Sequence, residues 1–357
     1  MDPWIHICFF HFLSLETGSR IESMKPRVGI LLGDHSGIGP EIIVKLLSRI
    51  ERQRLTGVLV IGERWAFEDA QRMVGVNLGL APMTSSDQFK TFSGPGFVET
   101  NFLRPSEFTP ARATAQAGAS AIQSLKLAID YAKRGCIDAI CYAPLNKQAM
   151  HMAGLGFPDE LKFLAHELCH TGDSGEINVL GNAWTSRVTS HVPLSEVSRL
   201  ITPESIQKAI RLIHHTMKKS GMNTPRIAVA ALNPHGGEGG NFGREEIDVI
   251  RPTILKAAAN GLNIDGPFPS DTVFLKLKEG LFDAVVTMYH DQGQIAMKLM
   301  GFQRGVTIAA GLPIAITTPA HGTAFDIVGQ GKADPGAMIE AFKLAFRLAG
   351  CSQGVSS

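Results

Sequence analysis

Apolar runs bounded by Gly, Pro or Asp alternate along this chain with longer segments in which apolar residues recur at helical spacing. The pattern predicts strands at 27–32, 57–62, 138–143, 226–232, 283–289 and 305–310, with two further strand-like runs within 176–190. Between them it predicts a helix from Pro40, a helix over 112–134, helices within 145–170, and helices over 203–219, 244–258 and about 335–349. Nearly continuous apolar strands separated by helices imply an α/β fold whose mostly parallel sheet is covered on both faces. In such a sheet functional residues gather where strands end and helices begin.

Composition narrows the function classes. At 357 residues, 44% hydrophobic and 19% charged, the chain has material for two domains and is neither disordered nor coiled coil. Its 34 basic and 33 acidic residues leave +1, so no basic excess draws it to nucleic acid or to an anionic membrane. The five cysteines contain no CxxC pair, which fits free thiols in a reducing cytoplasm. Residues 1–23 carry a short apolar run without a basic flank or a small-residue cleavage site, and KPRVGILLGD after Met24 reads as a first strand. Those residues are expected to form an extension outside the fold.

Twelve histidines against three Tyr and three Trp is the unusual feature. His191, His235 and His290 each follow a predicted strand, so three strands can deliver imidazoles to one edge of the sheet. Three neutral imidazoles with an open position form a competent divalent-metal site, although any one of them alone reads as an ordinary polar strand end. His166-Glu167-Leu168-Cys169-His170 spells the H-E-x-x-H motif of zinc peptidases, but Thr171-Gly172 ends the helix directly after it, and we read it as structural. The glycine-rich turn beginning at Gly33, before the helix from Pro40, suits close approach of backbone to an anion and is weak evidence by itself.

The most specific stretch runs from His321 to Pro335, HGTAFDIVGQGKADP. It resembles the adenosine-binding loop of isopropylmalate and isocitrate dehydrogenases. Together with GDHSGIGPEI, APLNK, LNPHGGEGG, PSDT and YHDQG, over about residues 26–350, the chain resembles the 4-hydroxythreonine-4-phosphate dehydrogenase family. The resemblance implies two α/β/α domains with the active site in the cleft between them. One would comprise residues 24–143 plus 292–352 and bind nucleotide; the other, 144–291, would bind metal and substrate and form a homodimer whose sites borrow residues across the interface. It implies oxidation of a small β-hydroxy acid by NAD followed by decarboxylation. His191, His235 and His290 would hold one divalent ion, zinc first and magnesium, manganese or cobalt as alternatives. Asp271 and Lys298 would line the reacting centre, Asp271 to orient the substrate hydroxyl or accept its proton. Gly33, His321, Gly322, Thr323, Ala324, Asp326 and Ile327 would contact the cofactor. A carboxylate at Asp326 accepts from ribose hydroxyls and repels a 2′-phosphate, which favours NAD over NADP.

Three departures from the family pattern bear on the substrate. Glu160 and Leu161 stand where members with phosphorylated substrates carry a histidine and a threonine, Thr307 replaces an asparagine, and Ile316 replaces an arginine. Each lost charge-assisted bond removes about 1.5–3 kcal/mol of phosphate binding. These changes predict an unphosphorylated substrate, such as a cis-dihydrodiol carboxylate of the terephthalate type. The alternative is a true 4-hydroxythreonine-4-phosphate or phosphothreonate dehydrogenase. A three-histidine metal hydrolase and an inactive nucleotide-binding relative are rivals of other classes, opposed respectively by the nucleotide loop and by retention of the histidines, Asp271 and Lys298.

Overall fold

A computed structural model describes residues 26–51, 55–84, 88 and 94–352, so the extension expected over 1–23 lies outside the described residues. Twelve strands form one sheet. In chain order they are β1 (Val28–Leu31), β2 (Val58–Glu63), β3 (Ala81–Pro82), β4 (Gly96–Thr100), β5 (Ala139–Tyr142), β6 (Gly175–Leu180), β7 (Ala183–Arg187), β8 (Ile227–Ala230), β9 (Ile264–Phe268), β10 (Ala284–Thr287), β11 (Val306–Ala310) and β12 (Ala315–Pro319). Across the sheet the order is β3-β4-β2-β1-β5-β12-β11-β6-β7-β10-β8-β9.

The two flanks are parallel, as the continuous apolar runs predict. β1 lies between β2 and β5 with Ile30 opposite Val60 and Cys141, and β10 lies between β7 and β8. Val28 and Ile30 enter one core with the helices Gly39–Ser48 and Gly336–Ser352, while Leu31 enters the opposite core with the helix Ala115–Lys133. Covering both faces is why polar residues do not alternate in these strands. Each such side chain removed from water contributes about 1.5–3 kcal/mol. The middle of the sheet is different, because β11 runs antiparallel to both β12 and β6, and β6 antiparallel to β7. This seam joins the flanks.

Helices form where local chemistry agrees with burial. Pro203–Lys219 begins with Thr202 accepting from the Ser205 N–H, has Pro in its first turn and lysines in its last, and buries Ile206, Ala209, Ile210, Ile213 and Met217 along one stripe. Several elements escape the hydrophobic pattern. β12 contains Thr317, which is buried because its hydroxyl donates to the Ala341 carbonyl, and β9 contains Pro267, tolerated because β9 is the sheet edge. The burial of β12 also bears on one expectation: Ile316 is 0% exposed, packed in the core beside Ile140 and Leu312 and away from any open surface.

The helix Ala115–Lys133 crosses the short helix Lys147–Met152 through Gly118, where an added Cβ would sit 1.9 Å from the Ala149 carbonyl oxygen. Gly118→Ala is therefore expected to lower the urea midpoint by the equivalent of about 1–3 kcal/mol. Ordinary helix propensity predicts a gain of about 1 kcal/mol instead; an unchanged or raised midpoint would contradict the close crossing.

Candidate active site

A cleft of about 370 Å³ opens over the antiparallel seam. Its walls come from the carboxyl end of β5 (Tyr142), the start of the helix Lys147–Met152 (Lys147), the first turn of the helix Glu160–Glu167 (Glu160, Leu161), β6 (Glu176, Asn178) and β7 (Arg187). The remainder comes from His191, one face of the helix His290–Gly301 (His290, Gln294, Lys298), Thr307 of β11, and His321 with Gly322.

Strand register brings two of the three predicted histidines together. β7 and β10 pair in parallel with Arg187 opposite Thr287, and the pairing continues as Val188 and Thr189 donate to the Thr287 and Met288 carbonyls. The chain then turns on both strands, delivering His191 and His290 side by side with ring centroids 5.6 Å apart. Two imidazoles on one tetrahedral ion place their centroids roughly 5 Å apart at zinc–nitrogen distances near 2 Å. His290 Nδ1 lies 2.7 Å from an Asp291 carboxylate oxygen, which leaves Nε2 as the nitrogen available for ligation. His191 adopts a left-handed φ of 45°, a conformation that persists where surrounding structure enforces it and that clusters at functional sites. The pair thus fits a divalent ion as part of its ligand set.

The other predicted members lie elsewhere in the chain. His235 is exposed in the glycine-rich segment Pro234–Gly240, also with positive φ, and its ring neighbours Phe242 rather than the cleft. Asp271 is exposed in the first turn of the helix Ser270–Lys278, whose N-cap is Pro269, so it favours the helix dipole without capping it. Among the described residues no three His, Cys, Asp or Glu side chains converge as a metal site. The H-E-x-x-H motif does not form one: its helix ends at Glu167, and Cys169 turns left-handed before His170.

The floor of the cleft is a polar network that the motifs did not reveal. Arg187, with a side chain 6% exposed, donates to Glu176, to Asn178 Oδ1 at 3.0 Å and to Ser190 Oγ at 2.9 Å. Asn178 in turn donates to Thr307 Oγ1 and accepts from Gln294. Two signals for it exist in the sequence: Glu176 and Arg187 are charges inside strand patterns, and His290, Gln294 and Lys298 recur every four residues on one helix face. Burial pushes the Glu160 carboxyl up to about 7; Lys147 opposes this, and Glu176 and Asp159 add to it. Burial, then Glu160 and Glu176, raise the Tyr142 phenol.

The predicted nucleotide loop leaves β12 at the cleft mouth. His321 and Gly322 line the cleft, Ala324 holds a φ of 46°, and Asp326 is exposed in the turn Phe325–Ile327. The first turn of the fold grips this loop. Ile38 N–H donates to the Thr323 carbonyl, and a Cβ on Gly37 would lie 2.7 Å from that threonine's side chain. Lys45 donates to Glu41 and to the carbonyls of Gly331 and Ala333, each at 2.8 Å. Gly33, at φ 72°, has no room for a side chain, since a Cβ would meet the Ala143 carbonyl at 2.5 Å. Thr323 is buried and Ile327 half-buried, so they shape the loop more than its surface.

Residues 54–345 match the family model of the pyridoxal phosphate biosynthetic protein PdxA. The chain belongs to this family. A Pseudomonas aeruginosa member provisionally named 4-hydroxythreonine-4-phosphate dehydrogenase 2 is 47% identical, the match covering 90% of this chain and 97% of that one. The D-threonate 4-phosphate dehydrogenase of Salmonella typhimurium is 39% identical over 90% of this chain and 98% of its own. Among solved PdxA-family structures, the Klebsiella pneumoniae 4-hydroxythreonine-4-phosphate dehydrogenase superposes with a TM-score of 0.77 at 35% identity, covering 92% of this chain and 99% of that one. A terephthalate 1,2-cis-dihydrodiol dehydrogenase from Burkholderia xenovorans is more distant, with a TM-score of 0.63 at 27% identity over 90% and 98% of the two chains.

Glu160 yields a measurable pH signature. Its carboxyl keeps a proton in the folded state up to about 7, whereas the ordinary value is 4.5, so ionisation opposes folding as pH rises through that window. Glu160→Gln is expected to leave Tm nearly unchanged at about pH 4 and to stabilise the protein by about 1–2 kcal/mol at about pH 8, solvent in the open cleft reducing the full effect. Equal shifts at both pH values would show that the carboxyl is not perturbed.

Proposed function

We propose that this chain is an NAD-dependent, divalent-metal-dependent dehydrogenase that oxidises the β-hydroxyl of a small phosphorylated hydroxy acid and releases the carboxyl group as carbon dioxide. The substrate class is a four-carbon acid of the 4-hydroxythreonine 4-phosphate or D-threonate 4-phosphate type. One observation carries the reading: a single cleft holds the paired His191 and His290, the cationic side chains Lys147 and Lys298, and the edge of the loop bearing His321, Gly322 and Asp326. The expectation of an unphosphorylated substrate gives way here. The names of the more similar relatives point to phosphate esters, and the dihydrodiol dehydrogenase is the more distant one. The residue comparison behind that expectation counted anchors removed at Glu160, Leu161 and Thr307 without setting against them Lys147 or the charge of Lys298, already expected at the reacting centre, and Ile316 is not in the cleft at all.

In this reading the substrate anion is held by Lys298 and Lys147, and Asp326 accepts from the adenosine ribose. A divalent ion held by His191 and His290 would supply Lewis-acid polarisation of the substrate oxygen. NAD held at the loop beginning at His321 would supply the hydride acceptor, while a carboxylate would take the hydroxyl proton and the β-keto acid would lose carbon dioxide. Asp271 is the candidate carboxylate and His235 the third imidazole, both supplied by the partner of a homodimer. This assignment is supported by their exposure away from the cleft of their own chain and by uncovered apolar side chains, among them Leu275, Ile295 and Leu299, the last 84% exposed. The lobes are residues 24–143 with 292–352, and 144–291, meeting near the seam. We place the enzyme in the cytoplasm; among the described residues no helix is long and apolar enough to cross a membrane.

The test is NADH formation from a panel of phosphorylated and unphosphorylated β-hydroxy acids and cis-dihydrodiols, before and after chelation. Turnover of the phosphorylated four-carbon acids, lost with a chelator and restored by Zn²⁺, is expected; turnover confined to unphosphorylated acids would overturn the substrate class. Asp326→Asn is expected to raise KM for NAD roughly tenfold and to narrow the preference over NADP, given about 1.5–3 kcal/mol for a hydrogen bond to a charged group. An unchanged cofactor preference would remove Asp326 from the ribose site.

A further inference from the structure

We infer that Arg187 is a positioning residue for the metal-binding pair, setting the spacing of His191 and His290 through a single hydrogen-bonded network. The inference rests on the reading of those histidines as metal ligands. Its basis is the set of elements the guanidinium joins. Nε donates to Ser190 Oγ at 2.9 Å, and Ser190 immediately precedes His191, whose left-handed φ of 45° needs an external constraint. Nη1 donates to Asn178 Oδ1 at 3.0 Å, and the same oxygen accepts from Gln294 Nε2 at 2.7 Å. Gln294 stands one helical turn beyond His290 on the cleft-facing side. One oxygen on β6 therefore couples the His191 turn to the helix that begins with His290. Nη2 is held by Glu176, so a swing of the guanidinium into the cleft would break its pairing with this half-buried carboxylate.

The geometry also separates this role from substrate binding. Arg187 lies at the end of β7 with a side chain 6% exposed and partners on all three of its nitrogens. Lys147 and Lys298 line the same cleft and supply cationic charge for an anion. Outer hydrogen-bond partners of metal-binding histidines typically control affinity by 10- to 100-fold, because a ligand free to rotate loses its preorganisation.

The experiment measures Zn²⁺ affinity of the apo homodimer by competition with a chromophoric chelator, in parallel with NADH binding by fluorescence and with KM for the phosphorylated acid. Arg187→Met is expected to weaken Zn²⁺ roughly 10- to 100-fold with NADH affinity unchanged, and Arg187→Lys to recover part of the loss. Ser190→Ala, an exposed site where only the hydroxyl is removed, is expected to weaken Zn²⁺ roughly 2- to 10-fold. Wild-type Zn²⁺ affinity in Arg187→Met with a raised substrate KM would overturn the inference and make Arg187 a substrate contact. Should Arg187→Met lose Tm and NADH binding as well, Ser190→Ala decides, and an unchanged Zn²⁺ affinity there overturns it. Absence of Zn²⁺ binding by the wild-type protein would instead sink the metal reading, a result distinct from either.

Discussion

The antiparallel seam is the constraint on which the rest of this molecule depends. β11 must satisfy both edges, with Val306 and Thr307 opposite Pro319 and Thr318 on one side and opposite Val179 and Asn178 on the other. Two strands, β11 and β6, stand between the parallel flanks and fix their separation by backbone hydrogen bonds, which must be satisfied in a buried setting. The cleft lies over this seam, and Thr307 and Asn178 are both ladder partners and cleft walls. Moving β11 by one residue would invert which side chains face the cleft.

From that constraint follows the division of labour at the sheet edge. Register between β7 and β10 places His191 beside His290, and β12 releases the loop beginning at His321 into the same opening. The protein carries no net field to attract an anion, at +1 overall, so the charge available to one is local, in the lysines Lys147 and Lys298 that line the cleft. Glu160 belongs to the same economy of charge. A carboxyl pushed up to about 7, beside Lys147, Glu176 and Asp159, stays largely neutral at mildly acidic pH and acquires charge as the pH passes through neutrality.

Much of this was legible in the sequence, for physical reasons that can be named. Buried parallel strands leave unmistakable apolar runs, and residues after them reach the strand ends whatever the details of packing, so position alone picks out His191 and His290, while His321 is singled out only by its motif. β12 was missed because Thr317 finds its partner on a distant helix, and the Arg187 network because its members come from two strands and a helix far apart in the chain. His235 and Asp271 carry the motifs of the site yet stand away from their own chain's cleft; a residue pattern cannot say which copy of a protein it serves. The substrate expectation weighed lost anchors at Glu160 and Leu161 without setting against them Lys147, which shares their wall, or Lys298, already expected in the site.

Anomalous diffraction from a crystal of the protein grown with Zn²⁺, NADH and D-threonate 4-phosphate tests the central claim most directly. The account predicts one strong peak per cleft, about 2.0–2.1 Å from a ring nitrogen of His191 and from Nε2 of His290, with the nicotinamide facing it across the substrate. A peak at His166 and His170 instead, or an ordered ternary complex with no metal between His191 and His290, would contradict it.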